Sequence, residues 1–127
     1  MSPKRERLSK LHLTERAVSD LLSIEDYSVE RWGKRTAAKY LKAIDSALSL
    51  IRADPGILRH FEELPDELRY YRVNTHLLVC DVRPASIVVL TAIHGSMDLP
   101  NRLAKLLLQL SAEVTLLHAR LASGGTD

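Results

Sequence analysis

The sequence lacks the residues that metal, cofactor and disulfide sites require. It has one cysteine, Cys80, so no internal disulfide framework can form. Its five histidines include no pair at zinc-site spacing, and no phosphate-binding glycine loop, nucleophile elbow or dinucleotide fingerprint is present. These absences predict a protein that uses no metal ion and no cofactor.

Long apolar runs are also missing. No stretch approaches the ~20 apolar residues that would span a bilayer. The basic N-terminus, with Lys4, Arg5, Arg7 and Lys10, is not followed by the apolar segment of a signal peptide. Cys80 lies in an apolar run, where a small buried hydrophobic residue is expected, and a free thiol suits a reducing compartment. The sequence therefore predicts a soluble cytoplasmic protein with no membrane partner.

The composition is that of a single globular domain. The chain has 127 residues, of which 46% are hydrophobic and 27% charged, and its net charge is +2. Residues 1–16 carry five basic and two acidic side chains, whereas residues 59–98 carry four basic and six acidic ones. Because nucleic-acid binding depends on lysine and arginine, this acidic balance argues against RNA as the main partner.

The first half of the sequence predicts a short strand followed by an αα-hairpin. The strand includes Leu11 and ends at Thr14, a favourable helix N-cap. Apolar residues then recur at helical spacing until Gly33, which is expected to end the first helix. A second amphipathic helix is predicted over residues 37–53. We expect Trp32, next to the break, to be buried and to anchor the hairpin on the sheet.

The second half changes to the pattern of strands. Strands are predicted over residues 68–74, 77–83 and 86–94, with a hairpin turn at Arg83-Pro84-Ala85. Residues 87–90 are apolar on both alternating sets, which predicts a strand that is covered on both faces. Since the αα-hairpin covers one face of the sheet, another element must cover the second.

A long C-terminal helix is predicted over residues 99–122, with Asp98 as its cap and residues 123–127 as a disordered tail. Its apolar residues form a seam of period 3.5, the spacing of a helix that packs lengthwise on another element. The seam comprises Leu103, Leu107, Leu110, Val114, Leu117 and Leu121. Three interpretations are open: cover for the chain's own sheet, self-association into a homodimer, or an arm that docks on a partner.

Several motifs follow one another between Leu11 and Leu103: Tyr27 with Arg31-Trp32-Gly33, the helix of residues 37–53, Asp54-Pro55-Gly56, Leu68-Arg69, Tyr71-Arg72 before His76, and Ile93-His94-Gly95-Ser96-Met97-Asp98. In this order they resemble the motifs of the RelE/ParE superfamily of small bacterial toxins, and those of its ParE branch more closely. Our prediction is an α+β domain over residues 11–98, with an N-terminal strand and αα-hairpin packed on a small, mainly antiparallel sheet. Residues 1–10 are then a flexible basic N-terminus, and residues 99–122 an additional C-terminal helix.

The resemblance also implies a function. ParE-like proteins are the toxins of type II toxin–antitoxin systems, which are associated with plasmid stabilization. The expected activity is inhibition of DNA gyrase by binding, without catalytic residues, and the expected partner is a cognate antitoxin that neutralises the toxin. The candidate antitoxin-binding or interface residues are Leu41, Ile44, Leu48, Leu107, Leu110, Val114 and Leu117.

Two alternatives remain open. In a RelE-like, ribosome-dependent mRNA endonuclease, His94 would transfer the proton, Arg72, Arg69 and Arg83 would stabilise the phosphorane, and Tyr71 would stack on a base. No aromatic residue follows Tyr71, so the C-terminal stacking position of RelE-like toxins has no match here. The other alternative is a non-toxic, self-associating or regulatory relative.

Overall fold

The structure is a computed structural model that describes residues 10–62, 64–95 and 99–122. Three predicted features lie outside this range: the cap Asp98, the tail of residues 123–127, and residues 1–9 of the flexible N-terminus. In chain order the elements are β1 (Lys10–Leu13), the helical segment α1 (Glu15–Ala53), a 3₁₀ turn (Pro55–Ile57), β2 (Arg59–His60), β3 (Leu68–Val73), β4 (His76–Arg83), β5 (Ser86–His94) and α2 (Leu99–Ala122). The predicted α+β fold is confirmed.

The five strands form one sheet in the order β1-β5-β4-β3-β2. Only the pairing of β1 with β5 is parallel, and the other three pairings are antiparallel. The mainly antiparallel sheet is therefore as predicted. The edge strand β2 has two residues and was not predicted, whereas β1 includes Lys10, which pairs with Ser86.

The αα-hairpin follows from a cap and a break. The Thr14 hydroxyl accepts a hydrogen bond from the Ala17 amide at 3.0 Å, as the N-cap prediction requires, and donates one to the Leu90 carbonyl at 2.8 Å. Gly33 has φ 88° and ψ 165°, a region that only glycine adopts readily, and it divides α1 into a first limb (residues 15–32) and a second limb (residues 34–53). The second limb begins before Ala37, where the sequence predicted its start.

Both limbs pack on one face of the sheet. The first limb contributes Ala17 and Ile24, and the second contributes Ile44, Ala47 and Ile51. They meet the buried sheet residues Leu78, Cys80, Ile87, Val89 and Ala92. Burial raises the pKa of the Cys80 thiol to about 12, so the thiolate is not formed at neutral pH and Cys80 acts as a small core residue.

The helix α2 covers the opposite face. Its buried apolar residues are Leu103, Leu106, Val114 and Leu117, and they pack against Leu68, Leu77, Val79, Val88, Leu90 and Ile93. The prediction that β5 is covered on both faces is confirmed, and the seam packs on the chain's own sheet. The outer surface of α2 exposes Leu108 and Leu116.

Candidate functional site

A pocket of about 550 Å³ opens where the two limbs of α1 meet the end of the sheet. Its aromatic and imidazole walls come from Tyr27, Trp32, Tyr40, His76 and His94. Smaller polar residues complete the lining: Ser28, Thr36, Asn74 and Thr75. A concave surface of this size with convergent polar groups has the general properties of a binding site.

The outer wall of the pocket consists of two exposed aromatic side chains. Tyr27 and Trp32 are each 53% exposed, and their rings meet edge to face with centroids 6.1 Å apart. The Arg31 guanidinium lies over the Tyr27 ring, 5.6 Å from its centroid. The prediction that Trp32 is a buried anchor is therefore wrong. Gly33 breaks the helix one residue later, and Trp32 at that break borders the pocket instead of the core.

The inner wall is a short polar chain. The Tyr40 hydroxyl donates to the Val73 carbonyl at 2.9 Å and lies 2.6 Å from Nδ1 of His76. Because the hydroxyl has one proton, Nδ1 of His76 must then carry a hydrogen and donate it. Burial, and secondarily His94, lowers the pKa of His76, while burial raises the pKa of Tyr40. Both groups are therefore neutral at pH 7.

Of the five candidate catalytic residues, Arg72 and His94 come to the same end of the sheet. The Arg72 guanidinium lies directly over Gly95, where a Cβ atom would be 2.9 Å from its Nη2 atom, and its Nη1 atom donates to the Asn74 carbonyl at 3.2 Å. The His94 ring meets His76 edge to face with centroids 5.7 Å apart. A side chain at position 95 would therefore displace the Arg72 guanidinium, which is the end of a flexible side chain.

The other three candidates do not join this pair. Arg69 bonds to Asp66, through the backbone carbonyl at 3.1 Å and the carboxylate at 3.7 Å. Arg83 lies opposite Ser86 at one end of the β4–β5 ladder, and His94 lies opposite His76 at the other end. At the usual rise per residue of a strand, the two ends of β4 are about 24 Å apart. Tyr71 packs against the core beneath the αα-hairpin. The constellation expected of a RelE-like endonuclease is thus dispersed over the sheet.

A Ser-His-Asp arrangement, which the sequence analysis did not find, connects α2 to the sheet. Nδ1 of His118 lies 2.5 Å from the Ser86 hydroxyl, and Nε2 lies 2.9 Å from the Asp81 carboxylate. Arg83 also donates to Asp81, at 2.7 Å. Nucleophilic catalysis needs a serine that a substrate can reach. Because Ser86 is 2% exposed and His118 6%, this arrangement positions α2 and cannot act on a substrate here.

Two further polar contacts hold α2 in place. The Glu113 carboxylate accepts from the Glu15 amide at 3.0 Å, at the N-terminal end of α1, and Lys10 donates to the Leu121 carbonyl at 3.1 Å. On the other face, the Asp20 carboxylate accepts hydrogen bonds from the Thr91 hydroxyl and, at 3.2 Å, from the Ala92 amide. The helical segment α1 is thus joined to β5 through the half-buried Asp20 carboxylate. The helix α2 is joined to β5 and β4 through the buried His118 ring.

The predicted interface residues fall into two classes. Ile44, Val114 and Leu117 are buried in the chain's own core. Leu48, Leu107 and Leu110 are partly buried at the edges of the two cores, and Leu41 is partly buried on the second limb. Their role as antitoxin contacts stays a prediction.

Within the described ranges, no group of three or more histidine, cysteine, aspartate or glutamate side chains is placed to hold a metal ion. Over the same residues, neither helix is both long and apolar enough to cross a membrane.

The pocket residues had weak sequence signals. Tyr40 shares the apolar stripe of the second limb, and His76 lies among strand residues, so each resembles an ordinary core residue. The Ser86–His118–Asp81 contacts join residues 32 and 37 positions apart. The available signal was Asp81, an acid inside the apolar run of β4, because a buried carboxylate requires a partner.

Taken together, the chain is a small α+β domain with one aromatic-lined pocket described above, and the candidate nuclease residues are not assembled into one site among its described residues. A family model described as "ParE toxin of type II toxin-antitoxin system, parDE" matches residues 11–99, more than half of the chain. The chain therefore belongs to the ParE toxin family of type II toxin–antitoxin systems. The matched region ends where α2 begins, so α2 is almost entirely outside it.

Individual relatives agree with this assignment. Toxin ParE1 of Caulobacter vibrioides is 29% identical over 86 residues, which cover 68% of this chain and 88% of that protein. A solved structure titled "Chromosomal ParDE TA system from P. aeruginosa" superposes with a TM-score of 0.60 at 18% identity, covering 69% of this chain and 97% of the other. The latter similarity establishes the shared fold.

Proposed function

We propose that this toxin inhibits DNA gyrase by binding it, and that a cognate antitoxin neutralises it by covering its surface. The observation that carries the proposal, beyond family membership, is the dispersion of the candidate nuclease residues. Arg83 lies at the opposite end of the sheet from His94, and the partly buried Tyr71 packs against the core. Phosphoryl-transfer chemistry needs its groups within reach of one phosphate, so a binding mechanism fits this arrangement better than RNA cleavage.

The test compares replication with translation after induction of the chain in a bacterial host. We expect growth arrest with DNA-damage signalling, intact translating mRNAs, and rescue by co-expression of the cognate antitoxin. In vitro, the purified chain should inhibit supercoiling by gyrase, and adding the antitoxin should restore it.

The control variant is His94→Ala, which removes the candidate proton-transfer group from an exposed position. Toxicity should persist in this variant. Codon-positioned mRNA cuts that appear with the parent chain and vanish in His94→Ala would instead establish the endonuclease alternative. An induced chain that folds but neither arrests growth nor binds the antitoxin would support the non-toxic alternative.

A further inference from the structure

The surface available to a partner is restricted by α2. This helix occupies the sheet face opposite the αα-hairpin and is held there by the Ser86–His118–Asp81 contacts and by Lys10. A partner segment cannot lie on that face without displacing the helix. The pocket between the two limbs remains open on the other side of the molecule.

The pocket presents apolar surface at its entrance and polar groups inside. Trp32 and Tyr27 each leave about half of their surface in solvent at the rim of the cavity. Inside, Nδ1 of His76 is used by Tyr40, and no described residue makes a hydrogen bond to its Nε2 atom. A bulky side chain can therefore enter the pocket between Trp32 and Tyr40 while a neighbouring N–H group donates to Nε2 of His76.

Charge is divided between the two limbs of the hairpin. The first limb, residues 15–32, carries five acidic and two basic side chains, whereas the second limb, residues 34–53, carries one acidic and five basic ones. Arg35, Lys39 and Lys42 are exposed and recur at the spacing of a single helix face. None of the three forms an ion pair with an acid in the part of the chain that the structure describes.

This basic stripe, defined as Arg35, Lys39 and Lys42, runs beside the pocket. Arg35 and Lys39 directly precede Thr36 and Tyr40, which line the cavity. We propose that the pocket and the basic stripe together bind an acidic segment of the antitoxin, which inserts one bulky apolar or aromatic side chain between Trp32 and Tyr40. This inference rests on the proposed function, because it assigns the antitoxin a place on the toxin.

An acidic peptide fits these observations better than a nucleic acid. A phosphate backbone carries charge along its whole length, so a strand that crossed the hairpin would also meet the acidic first limb. A peptide can confine its acids to the second limb and place its apolar anchor in the pocket, as interface anchors commonly do. The net charge of +2 is also small for a protein that binds nucleic acid.

The first experiment uses the single tryptophan of the chain as a probe, since Trp32 borders the pocket. An oligoglutamate peptide with one central phenylalanine is titrated against the full chain, and Trp32 fluorescence is recorded. We expect a saturable change that weakens with added salt. An oligolysine peptide with the same phenylalanine should produce none. Tighter binding by single-stranded oligothymidylate, with displacement of the acidic peptide, would overturn the proposal in favour of a nucleic-acid site.

The second experiment measures binding of the antitoxin itself by calorimetry. Trp32→Ala and Lys39→Glu should each raise the dissociation constant about tenfold, the usual effect of removing an interface anchor or reversing a contacting charge. The matched controls are Leu116→Ala and Lys105→Glu, which change exposed residues of α2 and should leave the constant unchanged. Circular dichroism checks that all four variants are folded.

The outcomes separate this inference from the proposed function. If the parent chain binds the antitoxin and the two pocket variants bind it equally well, this inference is overturned while the proposed function stands. If the parent chain does not bind the antitoxin at all, both are overturned. Weakened binding in the α2 controls alone would place the antitoxin on the opposite side of the molecule.

Discussion

His118 and Asp81 are 37 residues apart in sequence, yet Nε2 of His118 lies 2.9 Å from the Asp81 carboxylate in the layer between α2 and the sheet. Both residues are buried, and Ser86 bonds to the other ring nitrogen. The helix α2, which lies almost entirely outside the residues that the family model matches, is thus held by a specific polar contact as well as by apolar packing.

The first prediction concerns that contact. His118→Ala should lower the free energy of unfolding by about 1–3 kcal/mol, because it leaves the buried Ser86 hydroxyl without a partner and Asp81 with Arg83 alone. Denaturant unfolding measures the loss. Leu116→Ala, on the exposed side of α2, is the control and should change stability by less than about 0.5 kcal/mol. Equal stabilities for the two variants would show that the polar contact contributes nothing.

The second prediction is a pH dependence. Burial lowers the pKa of His118, and Arg83 adds to this, while Asp81 opposes it. Burial also lowers the pKa of His76. The unfolded chain therefore takes up protons near pH 6.5 before the folded chain does, so stability is fully present above about pH 6.5 and decreases as the pH falls below it.

Unfolding curves recorded between about pH 7.5 and 5 test this dependence. His118→Gln should flatten the acid side of the profile, because the buried group that resists protonation is gone. His12→Gln, at an exposed position, should leave the profile unchanged. A parent chain whose stability is constant through this range would contradict the prediction.

The third prediction concerns the break between the limbs. Gly33→Ala should cost about 1–3 kcal/mol, because its φ of 88° and ψ of 165° are strained for any residue with a Cβ atom. No atom lies within 4 Å of the added Cβ, so the cost is conformational and not steric.

Gly33→Asn should not rescue stability, since asparagine tolerates the left-handed helical region but not this value of ψ. Thermal unfolding beside the exposed control Lys34→Ala measures both changes, and a fully stable Gly33→Ala would show that the backbone adopts another conformation.

The fourth prediction separates the two sides of α2. Leu117→Ala removes a buried side chain from the core beneath this helix and should cost about 2–5 kcal/mol. Leu108→Ala changes a residue that is 83% exposed and should cost almost nothing. Denaturant unfolding together with sedimentation measures stability and mass. Loss of a dimer in Leu117→Ala without unfolding would show that the seam packs across two copies.

Much of the fold was predictable because its signals are local. The cap at Thr14, the break at Gly33 and the apolar runs of β3 and β4 between short polar breaks each depend on a few neighbouring residues. The cover on both faces of β5 was also predictable, since residues 87–90 are apolar on both sides. Of the strands that the structure describes, β2 was the one missed, because two residues are too few to show a period.

The site was less predictable. Trp32 directly precedes the glycine that ends the first limb, and the sequence analysis predicted it to be a buried packing anchor. The helix break instead places its ring at the rim of a cavity. The candidate nuclease residues are close together in sequence, but strand direction and register place Arg83 and His94 at opposite ends of one ladder. Such positions depend on which strands pair and on their offset.

By itself, the sequence determined the order and type of the main elements, the family and the need for a second cover on the sheet, because periodicity, caps and ordered motifs act over short distances along the chain. The tertiary structure alone decided where the polar groups meet. Tyr40 with His76, Asp20 with Thr91 and Ser86 with His118 are 36, 71 and 32 residues apart. Their contacts exist because the hairpin and α2 pack on opposite faces of one sheet, a consequence of burying both apolar faces at once.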